Sequence, residues 1–125
     1  MPKTAKPDEI FQIERHGDTL IITPQTNLLE FEFQNIQQAA KKVLDLLDRK
    51  PTRNVVLDFH KTDFYVTSAL AFFLKVWKRV RSQGGHMALC NVSTHELEVL
   101  QITKLDELWP ICSSREEALR AVQEK

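Results

Sequence analysis

Asn54-Val55-Val56-Leu57-Asp58-Phe59 is an almost continuous apolar run, too short for a helix and without the alternation of a strand that faces water. A strand of this kind is buried on both faces, as in the central parallel sheet of an α/β domain. Upstream of it, Ile36, Ala40, Val43 and Leu47 recur at helical spacing among Lys41, Lys42, Asp45, Asp48 and Arg49, which predicts an amphipathic helix from Asn35 that stops near Pro51. Further upstream, Phe11-Gln12-Ile13-Glu14-Arg15 alternates and Leu20-Ile21-Ile22 is apolar, with His16-Gly17-Asp18 between them as the turn of a β-hairpin. Downstream, a second helix runs from Thr67 to about Gln83 and ends at Gly84-Gly85. Met87 to Val92 reads as another buried strand, and Ser93-Thr94-His95-Glu96 as a capping box opening a short third helix through Leu97 and Leu100. Trp109-Pro110-Ile111-Cys112 is a short strand whose proline suits an edge. Ser113 or Ser114 caps a last helix with Ala118, Leu119 and Val122 on its apolar stripe. The order ββ-α-β-α-β-α-β-α predicts one α/β layer domain with a mixed sheet, an N-terminal hairpin and about four helices. The domain is expected over residues 11–123, after a mobile tail at residues 1–10 that carries two prolines.

The whole chain has 125 residues, of which 42% are hydrophobic and 27% charged, the composition of a soluble globular domain able to bury a core without staples. Seventeen basic and 17 acidic side chains cancel, which argues against a nucleic-acid or anionic-membrane partner. The cancellation hides an asymmetry, because residues 1–93 carry 13 basic and 10 acidic groups and residues 94–125 carry 4 and 7. No apolar run approaches the roughly 20 residues of a membrane span, and the opening MPKTAKPDEI has no apolar segment after its lysines, so a cytoplasmic protein is expected. Three glycines, Gly17, Gly84 and Gly85, are too few and too scattered for a phosphate-cradling loop or a dinucleotide fingerprint. Cys90 and Cys112 form no C-x-x-C pair and read as two buried thiols in a reducing compartment. His16, His60, His86 and His95 stand at no metal-ligand spacing, so neither metal nor cofactor is expected. No serine has an elbow motif and no cluster supplies a base, so the chain does not read as an enzyme.

Chemistry in open α/β sheets gathers where strands end and helices begin. The informative junction is Asp58 to Leu70, which places Thr67 and Ser68 side by side at a helix start. Either hydroxyl can cap the helix, and the same place suits a phosphate, since free N–H groups and the positive dipole end stabilise an anion. On the helix itself, Leu70, Phe73, Leu74, Trp77 and Val80 form the expected core stripe, with Lys75, Lys78, Arg79 and Ser82 facing away. Phe72 falls on the polar side beside Lys75, Val76 and Arg79. Such a residue is either a partly exposed partner contact or part of a wide apolar face buried under a loop. Asp58 at a strand end would also suit a receiver domain's phosphoacceptor, but Thr23-Pro24-Gln25-Thr26-Asn27 after the hairpin lacks the further carboxylates that fold uses.

The string Asn54 to Ser68, the helix Ala69 to Arg81, Gly84-Gly85, the strand into Asn91-Val92-Ser93, and Leu100-Gln101-Ile102-Thr103-Lys104-Leu105-Asp106-Glu107-Leu108 together resemble the STAS domain. More narrowly, the chain resembles the bacterial anti-sigma-factor antagonists over about Phe11 to Val122. In that family the segment before the second helix reads D-S-S/T-G-L and its first serine is phosphorylated by an anti-sigma kinase. The matching residues are Val66-Thr67-Ser68-Ala69-Leu70, with Val66 in place of the Asp and Ala69 in place of the Gly. The resemblance implies a non-enzymatic module with Thr67 as phosphoacceptor, Ser68 as the alternative, and Val66, Thr67, Ser68, Ala69, Phe72, Lys75, Val76 and Arg79 as partner contacts. It implies an anti-sigma serine/threonine kinase as the partner whose capture frees a sigma factor, and allows a metal-dependent serine phosphatase as a second. The departures at Val66 and Ala69 also suit a STAS module that does not switch and serves as a scaffold or small-ligand-binding subunit.

Overall fold

In a computed structural model the protein is described over residues 10–28, 33–49, 52–65 and 69–123. Strands β1 (Phe11–His16) and β2 (Thr19–Pro24) form the hairpin, and α1 (Phe33–Arg49) leads to β3 (Asn54–Asp58). Helix α2 (Ala69–Ser82), β4 (Met87–Cys90) and α3 (Thr94–Ile102) follow. A 3-10 turn (Leu105–Glu107), β5 (Ile111–Cys112) and α4 (Arg115–Gln123) complete the chain. The five strands lie in sequence order in one sheet, with β1 antiparallel to β2 and every other neighbour parallel. The expected class and order of elements are those found.

The burial of β3 on both faces has a direct cause. Val55 and Leu57 point into the larger core with Leu20, Ile22, Met87 and Leu89, where residues of α1 and α2 cover them. Val56 points the other way with Ile21, Ala88 and Cys90, under Ala118 and Val122 of α4. Each apolar side chain buried there contributes about 1.5–3 kcal/mol, which explains why the interior positions Val55, Val56 and Leu57 are all apolar and the polar residues Asn54 and Asp58 stand at the strand's two ends. The hairpin turns on Gly17 at φ 60°, with His16 paired to Thr19. Gly85 is required by space, because a Cβ there would lie 1.3 Å from the Arg53 carbonyl oxygen.

Several details differ from the sequence reading. Ile10, placed in the tail, is fully buried, and its carbonyl accepts the Gln25 N–H at 2.8 Å. The buried face of α2 is Ala69, Leu70, Phe72, Phe73, Val76 and Val80, while Leu74 and Trp77 are only half-buried. The face is rotated because Phe11, at the start of the edge strand β1, covers this flank and stacks on Phe72 at 4.9 Å. Trp77 packs edge-on to Trp109 and carries the Arg81 guanidinium over its ring. Cys90 is buried as expected, but Cys112 on the edge strand is only half-buried.

The charged centre of the fold is Asp58, 2% exposed at the end of β3. Its carboxylate accepts from Arg115 Nε at 2.9 Å, Asn91 Nδ2 at 3.0 Å and the His60 backbone N–H at 3.1 Å, and His60 Nδ1 lies 3.0 Å away. Arg115 also reaches Glu14 of β1 at 3.1 Å. Burial pushes the Asp58 carboxyl up, but the bonds from Asn91, Arg115 and His60 outweigh it and hold the group below its ordinary value. Such a group contributes stability above its unfolded-chain pKa of about 3.9, lost as pH falls through the lower folded value. Arg115→Met strands a buried carboxylate and is expected to cost about 3 kcal/mol in urea unfolding at neutral pH, with a shallower loss of stability in acid than the parent. Glu14→Gln, at a half-exposed pair, is expected to cost under about 1 kcal/mol.

Candidate functional site

The chain leaves β3 at Asp58 and must reach the start of α2 at Ala69. Between them residues 59–65 are tied down on three sides. Inward, Phe59 and Tyr65 are buried against Phe73 of α2, with ring centroids 5.4–5.6 Å apart. Towards α3, Thr62 Oγ1 donates to Glu96 at 2.7 Å, the Tyr65 hydroxyl donates to the Glu96 carbonyl at 3.0 Å, and Ser93 Oγ donates to the Asp63 carbonyl at 2.7 Å. Towards the loop after β2, Asn27 and Asp63 exchange two bonds at 3.0 and 3.2 Å, and Leu28 bridges Tyr65. Gln25, Thr26, Asn27, His60, Lys61 and Thr62 line an open polar depression of about 490 Å³ over this loop.

Glu96 is the keystone of this arrangement. The capping box read from the sequence is present, with Ser93 Oγ accepting the Glu96 N–H at 3.1 Å and the Glu96 carboxylate accepting the Ser93 N–H at 2.9 Å. The same carboxylate takes the Thr62 hydroxyl, so one fully buried side chain both starts α3 and holds the loop that leads to α2. Burial raises its pKa, and the bonds from Ser93 and Thr62 only partly offset that. Burial likewise pushes the Tyr65 hydroxyl up, with the Glu96 charge adding to it, so the phenol stays a donor. Cys90 is pushed up to about 12, chiefly by burial and then by Asp58, and behaves as an inert thiol.

The expected site residues fall into three groups. Val66, Thr67 and Ser68 lie outside the described residues. Ala69, Phe72 and Val76 are buried, so Phe72 is not the partly exposed contact; it is part of a buried apolar face, as in the alternative reading, but what covers it is Phe11 of β1 and not a loop. Lys75 is exposed, and Arg79 is half-exposed in an ion pair with Asp48 of α1. Sequence reasoning missed Arg115, Asn91 and Tyr65. Asn91 alone carried a signal, since a polar residue ending a buried strand suits its left-handed conformation at φ 59°. No group of three His, Cys, Asp or Glu side chains able to hold a metal occurs among the described residues. No helix there is long and apolar enough to cross a membrane.

These features define a one-domain α/β module that presents a braced polar loop at the carboxyl end of its sheet. Residues 11–118 match the STAS domain family, and the chain belongs to that family, among its anti-sigma factor antagonists. BtrV of Bordetella bronchiseptica, a candidate anti-sigma factor antagonist, is 32% identical over 87 residues, covering 70% of this chain and 74% of that protein. An anti-sigma-factor antagonist STAS domain protein from Planctomyces limnophilus superposes with a TM-score of 0.77 at 30% identity, covering 89% of this chain and 96% of the other. SpoIIAA, an anti-sigma factor antagonist known in unphosphorylated and phosphorylated forms, shares the fold at 20% identity. Its unphosphorylated form has a TM-score of 0.78 and covers 92% of this chain and 97% of its own.

The raised Glu96 pKa sets the sign of a pH effect. The folded state holds that proton more tightly than the unfolded chain, so the contribution is present below about pH 4.3 and lost as pH rises through the folded value. Glu96→Gln keeps an acceptor for the Ser93 N–H in its Oε1, turns the Thr62 hydroxyl from donor to acceptor of the new amide N–H, and removes the titration. The parent is therefore expected to gain stability relative to Glu96→Gln as pH falls from about 7 to about 4, read by thermal unfolding. A gap that stays constant, or widens the other way, contradicts the buried, destabilised carboxylate.

Proposed function

We propose that this chain is a non-enzymatic, cytoplasmic anti-sigma factor antagonist that captures an anti-sigma kinase, frees a sigma factor, and is released when Thr67 is phosphorylated. The observation that carries the reading is the braced loop. Residues 59–65 are fixed to α3, to the loop after β2 and to the core, so Thr67 and Ser68 fall in a three-residue span between two anchored points. Phosphate adds about −1.5 to −2 charge, enough to turn a desolvated contact into a repulsive one. The SpoIIAA relative, which exists in a phosphorylated form, supports the same kind of control. A metal-dependent serine phosphatase would reverse the modification.

A second reading rests on Val66 and Ala69, which stand where the family has Asp and Gly. Losing that charge and backbone freedom favours a module that binds without switching. Incubating the purified chain with its anti-sigma kinase and ATP, followed by mass spectrometry, separates the two. The switch requires one added phosphate on Thr67, lost in Thr67→Ala and retained in Ser68→Ala. Phosphate on Ser68 alone moves the acceptor by one residue, and no phosphate on either, with the kinase still bound, establishes the non-switching module.

A further inference from the structure

An apolar groove of about 330 Å³ runs between α1 and α2. Ile36, Ala40 and Leu44 of α1 and Ala71 and Phe72 of α2 line it, and it exists because small side chains at Ala40 and Ala71 leave the space between the helices unfilled. Lys41 and Lys75, one from each helix, supply its charged lining, with Gln37 and Ala69 beside them. Both lysines are exposed, and neither is in an ion pair with a described residue. Asp48, an acidic group of α1, is instead engaged by Arg79 further along the helices, where Asp45 adds to the same field. The groove therefore joins an apolar lining to two positive charges on opposite banks, neither ion-paired among the described residues.

We propose that this groove binds a small amphipathic anion, an unbranched carboxylate whose tail lies along Ile36, Ala40, Leu44 and Phe72 and whose head sits between Lys41 and Lys75. Size supports a small ligand, because a cavity of ~150 Å³ takes a benzene ring and this one has about twice that volume. Binding pockets for small molecules begin at about 300 Å³. The described surroundings favour a small ligand over a protein segment. A stable protein interface covers roughly 800 Å² per partner with an apolar centre. The exposed large hydrophobic residues among those described, Ile13, Ile102 and Leu108, do not line this groove, so among the described residues no wider apolar patch extends it. Charge complementarity selects an anion over a neutral or cationic amphiphile.

The proposal is independent of the phosphorylation switch, since binding is measured on the unmodified chain alone. Sodium decanoate titrated into the ¹⁵N-labelled protein is expected to give saturable amide shifts centred on Ala40, Lys41, Ala71 and Lys75. Decyltrimethylammonium, the same tail with a cationic head, is expected to give none there. Lys41→Gln combined with Lys75→Gln is expected to weaken decanoate at least about tenfold, and Ala71→Trp, at an exposed position, to block it while the spectrum stays dispersed. Lys75→Gln alone serves as a milder variant with a smaller loss in the same direction. Absence of saturation at these amides in millimolar decanoate, equal binding of the cationic analogue, or unchanged affinity in the lysine variants overturns the proposal. If Ala71→Trp abolishes anti-sigma factor binding while decanoate never binds, the groove is a protein surface, and the ligand assignment is likewise overturned.

Discussion

A single buried carboxylate organises the carboxyl end of this sheet. Asp58 ends a strand covered on both faces, so water cannot solvate it, and its charge must be met by protein groups. Those groups come from three other places in the chain: His60 in the following loop, Asn91 after β4 and Arg115 at the first turn of α4. Arg115 lies 57 residues away and extends the network to Glu14 on β1. One desolvated charge thus fixes the start of the last helix, the turn after β4 and the direction in which the chain leaves β3.

Glu96 performs the complementary task on the neighbouring side. The two carboxylates are both buried yet are pushed in opposite directions, Asp58 down by a guanidinium and several donors, Glu96 up because burial outweighs the neutral donors around it. The difference follows from the partners. A guanidinium lies against Asp58 but not among the hydrogen bonds of Glu96, where the nearby charge of Asp63 is of the same sign. Asp58 therefore anchors the base of the loop with an ion pair that favours its charge, whereas Glu96 holds the loop by geometry at some cost in stability. Spending stability to hold a loop in place is what a presented site calls for.

The sheet was legible in the sequence because both of its faces are covered, which leaves runs such as Val55-Val56-Leu57 no polar positions to confuse the pattern. The capping box was legible because it is local, four residues with a fixed spacing. What lay outside local pattern was not. A helical projection of α2 weighs its own residues alone and cannot register that Phe11 of β1 covers the flank where Phe72 lies, so it placed Leu74 and Trp77 in the core instead. The Arg115 to Asp58 pair has no signature in sequence, since nothing at Arg115 distinguishes it from a solvated residue in the first turn of a helix. The double use of Glu96, cap and brace, was invisible for the same reason: Thr62 lies 34 residues away.

The fold so assembled braces residues 59–65 ahead of α2, on a molecule whose net charge is zero. The proposed switch requires of this neutral molecule an interface that one added phosphate can disrupt. Isothermal titration of the anti-sigma factor with the unmodified chain and with the chain phosphorylated at Thr67 tests this most directly. The account predicts saturable one-site binding for the unmodified protein and affinity reduced at least about tenfold, roughly 1.4 kcal/mol, by the phosphate. Equal affinities for the two forms would contradict it.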